Sequence, residues 1–281
     1  NRGMYLLDTD PVRQPMVYIS TPADYVLPEK NGIADGFYRY QDAGKTENQC
    51  DFTLQKREKK TDEFVFIPIS DPQVKNEKQL ERFRSETIPD LVYTVDSLNV
   101  PETIGMQLGD LVWDAMNLYT PYRTTISNLG LTMFQVMGNH DFNLQYADME
   151  RTAEPAKGYG EKNYYEMFGP TDYSFNVGKV HVIAMKDIDY EGGKKYTERF
   201  TEEQLEWLKK DLSYVPEGTT VFLNVHAPVA NTTVEGGDNV RNANALFRIL
   251  RPYKAHIFSG HTHFYENTLP AAGIYEHNIG A

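Results

Sequence analysis

The sequence predicts a layered α/β domain preceded by a small all-β module. Three observations carry that expectation. Residues 1 to 62 hold only short β-forming stretches separated by turn-rich loops. From Phe64 onward apolar strands alternate with helical patterns, the grammar of a layered α/β architecture. Five short polar motifs each end an apolar, β-forming run, so their oxygen and nitrogen donors fall where a strand gives way to a loop.

In the N-terminal module, Met4-Tyr-Leu-Leu7 and Met16-Val-Tyr-Ile-Ser20 read as strands, with a turn at Asp8-Thr-Asp-Pro11 between them. A loop rich in Pro, Gly, Asn and Asp follows, from Thr21 to Gly36. Asp51-Phe-Thr-Leu-Gln-Lys56 alternates with period two, as a half-buried strand should. These strands suggest an incomplete β-sandwich over 1–62, with the charged run Glu58 to Glu63 as the linker to a domain spanning 63–281.

In the second domain, Phe64 to Ile69 is a fully apolar run ending at Asp71. Asn76 to Leu98 carries Leu80, Phe83, Ile88, Leu91 and Val92 near helical spacing, interrupted by Pro89. Thr103 to Leu108 and Leu131 to Met137 are strands, each ending at a glycine motif. Val180 to Met185 is a strand followed by Asp187. Thr201-Glu-Glu-Gln204 is a capping-box pattern opening a helix with Leu205, Leu208 and Leu212 on one face. Val221 to Val225 leads to His226, Ala243 to Leu250 is helical, and Ile257 to Ser259 leads to the last motif. The stretch Phe142 to Gly178 reads as a long insertion with Tyr146, Tyr159, Tyr164, Tyr165 and Tyr173. Its tyrosines serve either substrate specificity or local packing. Gly236-Gly237 sits in a polar loop after His226.

The chain has 281 residues, of which 40% are hydrophobic and 12% aromatic, enough for a large core. Its formal charge is -12. An acidic chain gains nothing from counterion release on nucleic acid, so polynucleotide binding is not expected. Phosphate-bearing substrates would also be repelled unless bound cations reversed the local field. The single cysteine, Cys50, allows neither an internal disulfide nor a thiolate metal site. No apolar run approaches the roughly 18 residues of a transmembrane helix. Both ends read as cuts in a longer polypeptide, the N-terminal module being truncated, and the oligomeric state is open.

The five motifs are Asp71-Pro-Gln73, Gly109-Asp110, Gly138-Asn-His-Asp141, Val225-His226-Ala227 and Gly260-His-Thr-His263. Taken singly each is weak: Asp71-Pro72 reads as a turn, and Asn139-His-Asp141 as a turn at a helix start. The ordered set at successive strand ends reads as a metal site. No nucleophile elbow, phosphate-binding P-loop or dinucleotide fingerprint is present.

In this order the motifs resemble those of the calcineurin-like metallophosphoesterases, over about residues 63 to 265. The departure is Gln73, where that family usually has histidine; Asp-Pro-Gln resembles a bacterial branch in which glutamine recurs. The N-terminal stretch Met16 to Tyr25 resembles the extra module of certain bacterial phosphoesterases. The resemblance implies a four-layer α/β/β/α sandwich holding two divalent metal ions of unspecified identity (Mn, Fe, Zn or Mg). Carried over by position, Asp71, Gln73, Asp110 and His263 would hold the first ion. Asp110, Asn139, His226 and His261 would hold the second, with Asp110 bridging. His140 would assist the leaving group, Asp141 would orient His140 or shape the site, and Asp114 would support it from behind. The glutamine amide oxygen is a neutral and weaker donor, so the first site should be looser and less selective for zinc. Trp113 is read as core more than pocket lining.

The implied reaction is hydrolysis of a phosphomonoester or phosphodiester, small or lipid-linked, by a metal-bridging hydroxide. The implied location is the periplasm or cell envelope. Two alternatives stand beside it: an inactive envelope protein binding a glycan or protein partner on the same scaffold, and a nucleotide or lipid-linked diphosphate hydrolase.

Overall fold

A computed structural model describes residues 3–12, 14–59, 62–142, 153–192, 195–232 and 239–281. Tyr146, Gly236-Gly237, Lys60 and Thr61 of the expected linker, and the side chain of Tyr159 lie outside the described residues.

Two sheets carry the fold. One contains β5 (Val65–Ile69), β6 (Thr103–Gln107) and β7 (Thr132–Gln135), all parallel. The other contains β8 (Tyr173–Val177), β9 (Val180–Ala184), β12 (Thr220–Asn224), β13 (Lys254–Ser259), β14 (Glu266–Ala271) and β15 (Ile274–Asn278), in the order β14-β15-β13-β12-β9-β8. There β9, β12, β13 and β15 run parallel, and the edge strands β8 and β14 run antiparallel to their neighbours. Strands buried on both faces must be largely apolar on both faces, which is why the central segments β6, β7, β9 and β12 read as hydrophobic runs.

Alternation along each strand sorts its residues between two cores. Ile104 and Met106 of β6 share one cluster with Val182 and Ala184 of β9, and among the described residues no helix residue enters it. Gly105 and Gln107 point the other way, where the Gln107 amide donates to the Tyr122 hydroxyl of helix α3 (Tyr119–Thr125). On β12, Val221 and Leu223 join the helix-side core with Leu205 and Leu208 of α5 (Glu202–Leu212) and Leu246 and Leu250 of α6 (Ala243–Leu250). This division is what sheets packed face to face with helices outside them produce.

The N-terminal segment is woven into both sheets. β1 (Met16–Tyr18) pairs with β4 (Tyr38–Tyr40). β2 (Glu29–Lys30) and β3 (Ile33–Ala34) form a hairpin through Asn31-Gly32, both left-handed, as a tight hairpin turn requires. β3 then pairs with β7 at Ile33 and Met133, extending the first sheet. Thr21 bridges Phe175 of β8 in the second sheet. Leu27, Ala34 and Phe37 enter the core between the sheets. Two expected strands differ. Met4 to Leu7 joins no ladder among the described residues and is exposed, Leu6 at 96%, though the Tyr5 hydroxyl donates to the Cys50 carbonyl. Asp51 to Lys56 alternates in exposure as expected, but among the described residues its only ladder contact is the bridge from Lys56 to Tyr25.

The helical run 76–98 is broken as its proline requires. α1 (Glu77–Arg82) gives way to a π-helical turn, Phe83–Thr87, before α2 (Ile88–Leu98). Pro89 has no N–H and crowds the preceding turn, and the wider turn accommodates it, Ile88 N–H donating five residues back to Phe83. The Thr201–Gln204 capping box forms in both directions. The insertion is not one long loop: it contains α4 (Ala153–Phe168) and β8. Its described tyrosines pack inward, Tyr164 fully buried and Tyr173 donating to the Gln135 carbonyl at 2.8 Å. A hairpin follows β9, formed by β10 (Ile188–Gly192) and β11 (Lys195–Glu198). No helix of the described residues is long and apolar enough to cross a membrane.

Candidate metal centre

Five strands end at one place. β5, β6 and β7 deliver Asp71, Asp110 and Asn139-His140; β12 and β13 deliver His226 and His261. Because the strands run parallel within each sheet, their C-terminal ends share an edge, and the two edges meet across the sandwich. Gly260 N–H donates to the His226 carbonyl at 2.8 Å, and Gln73 N–H to the Asp110 carbonyl at 2.8 Å.

The backbone is strained here and almost nowhere else. Among the described residues, nine non-glycine residues have a left-handed φ. Three are asparagines, which tolerate it; the other six are Asp71, Gln73, Asp110, Asp114, His261 and His263. Such conformations cost of order 1–3 kcal/mol each and persist where surrounding structure imposes them, often at functional sites. The motif glycines have a separate cause. A Cβ on Gly109 would stand 2.5 Å from His226 Nδ1, and Gly109 also needs φ +97°. A Cβ on Gly138 would collide with Asp110, and one on Gly260 with Ser70 and Asp71.

The donors fall into two groups sharing Asp110. On one side, His263 Nε2 lies 3.4 Å from Asp71 Oδ1, and the Gln73 amide nitrogen donates to Asp110 Oδ2 at 2.9 Å. A half-turn of that amide would present its oxygen instead. On the other side, His226 Nε2 lies 2.9 Å from Asn139 Oδ1, 3.1 Å from His261 Nδ1 and 3.3 Å from Asp110 Oδ1. His226 Nδ1 faces the Leu108 carbonyl at 2.8 Å, which directs Nε2 into the site. Ligand atoms of Asp110, His226 and His261 all lie within 4.8 Å of one another.

The donor set fits divalent cations. Asp71 is buried, and its Oδ1 accepts no hydrogen bond; its Oδ2 takes Ser70 Oγ and the His261 N–H. An orphaned carboxylate oxygen among buried imidazoles and amides is costly unless a cation faces it. Burial opposes charge on both Asp110 and His226, yet their attraction outweighs it. Asp110 is held well below the usual carboxylate range and His226 is pushed up to about 10. Burial and the His226 charge push His261 down to about 4. The nearby Asp71 carboxylate raises His263.

His140 lies beside this cluster. Its backbone N–H donates to Asp110 Oδ1 at 2.8 Å, and its Nδ1 is 2.9 Å from Asp114 Oδ1. Trp113 stacks on the His140 ring at 3.9 Å, and Lys75 lies over the indole at 5.1 Å. Trp113 is therefore a wall of the site, contrary to the core role expected for it. Asp141 also differs from one half of its expectation. Its carboxylate accepts the N–H groups of Leu111 at 3.0 Å and Gly138 at 2.9 Å and the Tyr119 hydroxyl at 3.3 Å, and it does not meet the His140 side chain. It shapes the loops, while Asp114 orients His140. Burial and the Asp110 charge push Asp141 up to about 8.

Sequence reasoning missed three contributors. The Asp187 carboxylate accepts the backbone N–H groups of His226 and Ala227. Its position after an apolar strand was the available signal. Glu198 and Tyr196 reach His261 from β11 and carried no motif.

Comparison with known proteins agrees with this geometry. Residues 64–265 match the family model for the calcineurin-like phosphoesterase, and residues 1–57 match the model for the N terminal of calcineurin-like phosphoesterase. Purple acid phosphatase 15 of Arabidopsis thaliana is 26% identical over 176 residues, covering 61% of this chain but only 31% of that protein. The chain thus spans about a third of that relative's length. A dimetal phosphatase from Danio rerio superposes with a TM-score of 0.55 at 16% identity, covering 77% of this chain and 87% of that one. A purple acid phosphatase from yellow lupin, Lupinus luteus, gives 0.56 at 15% identity, covering 76% and 43%. With its family model matched along most of its length and donors gathered at the strand ends, the chain belongs to the calcineurin-like phosphoesterases, a family of metal-dependent phosphoesterases.

Proposed function

We propose that this chain hydrolyses phosphomonoesters or phosphodiesters at a centre of two divalent cations. The observation that carries the reading is Asp110, whose Oδ2 meets the Gln73 side and whose Oδ1 meets the His226 side. Asp71, Gln73, Asp110 and His263 would hold one ion, and Asp110, Asn139, His226 and His261 the other. Bound there, such ions supply charge neutralisation for the phosphoryl group and acidify water at neutral pH.

The chain's own residues do the rest. With Nδ1 engaged by Asp114, His140 would carry the proton for the leaving oxygen on Nε2. Trp113 and Lys75 fix its ring plane, and Lys75 brings positive charge to an acidic molecule's site. The left-handed residues hold donors in place before substrate arrives.

Hydrolysis of p-nitrophenyl phosphate and bis-p-nitrophenyl phosphate after manganese loading tests the reading and separates monoester from diester preference. No turnover of either substrate with any divalent cation would reject it in favour of a binding protein on this scaffold. An exported, cell-envelope setting is part of the same proposal and rests on the sequence resemblance; fractionation of the native cells tests it.

A further inference from the structure

We propose that the β10–β11 hairpin is the device that holds the second-ion half of the site, with Glu198 the positioning residue for His261. The inference rests on the two-ion reading above. His261 has two ring nitrogens with different neighbours. Nδ1 points into the donor cluster, 3.1 Å from His226 Nε2, so it is the nitrogen placed to take an ion. Nε2 points away, and its acidic neighbour is Glu198, whose Oε1 lies 4.0 Å from it. Both side chains are largely buried, at 9% and 13% exposure. A histidine that ligates through one nitrogen must carry its proton on the other, and a carboxylate facing that N–H fixes the tautomer and makes the ring a better donor. A closure of about 1 Å would make 4.0 Å a hydrogen bond, and such contacts commonly tighten on loading.

The hairpin's backbone is anchored on both sides of this carboxylate. The Glu198 carbonyl accepts the Arg241 N–H at 2.9 Å. At the hairpin's base, Arg199 N–H donates to the Asp187 carbonyl at 2.7 Å. The same Asp187 is fully buried, and its carboxylate takes the N–H of His226 at 3.1 Å and of Ala227 at 3.0 Å. The Tyr196 ring meets the His261 ring edge to face at 6.3 Å. The hairpin reaches His261 directly and His226 through Asp187, the residue that precedes it. The Glu198 carboxylate faces His261, a member of the second-ion group, so its effect should fall on that ion.

The test uses the whole chain and manganese as probe. Manganese binding is measured by titration and by elemental analysis after graded chelation, in wild type, Glu198→Leu and Glu198→Gln. Leucine keeps the volume and removes the acceptor; glutamine keeps an oxygen facing Nε2. The expected result is a second ion bound about 10- to 100-fold more weakly in Glu198→Leu, a first ion unchanged, and recovery of most of the loss in Glu198→Gln. A second ion held as tightly in Glu198→Leu as in wild type would overturn the proposal. So would equal weakening of both ions, or a glutamine variant no better than leucine. If Glu198→Leu does not fold, the wild-type zinc-loaded protein still decides: nitrogen-15 spectra should show His261 protonated at Nε2 and ligated at Nδ1, and the reverse overturns the proposal. Wild type binding fewer than two ions would instead reject the two-ion reading itself.

Discussion

The side-chain amide of Gln73 donates to Asp110 Oδ2 at 2.9 Å. Under the proposed two-ion reading, Gln73 thus touches the carboxylate both ions would share and would be an altered member of the first-ion group. Gln73→His should tighten the first ion by about tenfold or more and shift preference toward zinc, because imidazole is a stronger donor to zinc than an amide oxygen. Competitive titration of zinc against manganese measures it, and unchanged affinities would show that this position does not hold an ion.

His140→Ala should reduce turnover of p-nitrophenyl phosphate by about 10²- to 10⁴-fold, the range for losing a positioned proton donor. Metal content should stay at the wild-type level, since only the His140 backbone N–H meets Asp110. Asp114→Asn should lie in the same direction with a smaller loss, because it removes the charge behind Nδ1 but leaves the ring. Elemental analysis alongside kcat separates the roles; loss of metal in either variant would contradict the assignment.

Gly260→Ala should weaken the first ion with a folded protein remaining, because its Cβ would collide with Ser70 and Asp71. Gly109→Ala should be worse. It adds a Cβ 2.5 Å from His226 Nδ1 and forces a residue with a side chain to hold φ +97°. A stability loss of more than about 2 kcal/mol is expected, from the backbone cost together with the displaced histidine. Chemical denaturation of both variants checks the order.

A pH effect should arise at a histidine pair outside the donor set. His256 Nδ1 lies 3.0 Å from His277 Nε2, and His277 Nδ1 lies 2.7 Å from Asn267 Oδ1. Burial holds both imidazoles below their usual range, with repulsion from His256 a second cause for His277. Below the unfolded value of about 6.5 the unfolded chain therefore binds more protons than the folded one, so stability rises with pH there and is lost as pH falls through that value. The melting temperature of the metal-loaded protein should drop between about pH 7 and about pH 5, and drop less in a His256→Phe, His277→Leu variant. Parallel curves for the two proteins would contradict this.

Much of the site was legible in the sequence because buried parallel strands leave apolar runs, and a metal centre needs donors where those runs stop. Asp71, Asp110, Asn139, His226, His261 and His263 all stand at such ends and are gathered in space. What escaped depended on partners far along the chain. The strand Ile33–Ala34 is too short for any periodicity, and its place is set by Met133. Glu198 ends a charged strand with no motif and reaches His261 only because the hairpin folds back. Trp113 reads as core from its hydrophobicity; only its 3.9 Å stacking on His140 places it at the site. The exposed Met4 to Leu7 shows the converse, since β-forming residues without a partner strand make no ladder.

The most direct test of the two-ion centre is metal stoichiometry by elemental mass spectrometry, after loading wild type and Asp110→Asn with manganese. Two ions per chain in wild type, with binding of both weakened in Asp110→Asn, is the predicted result, because Asp110 is the one carboxylate shared by both groups. One ion or none in wild type, or two ions held undiminished in Asp110→Asn, would contradict it.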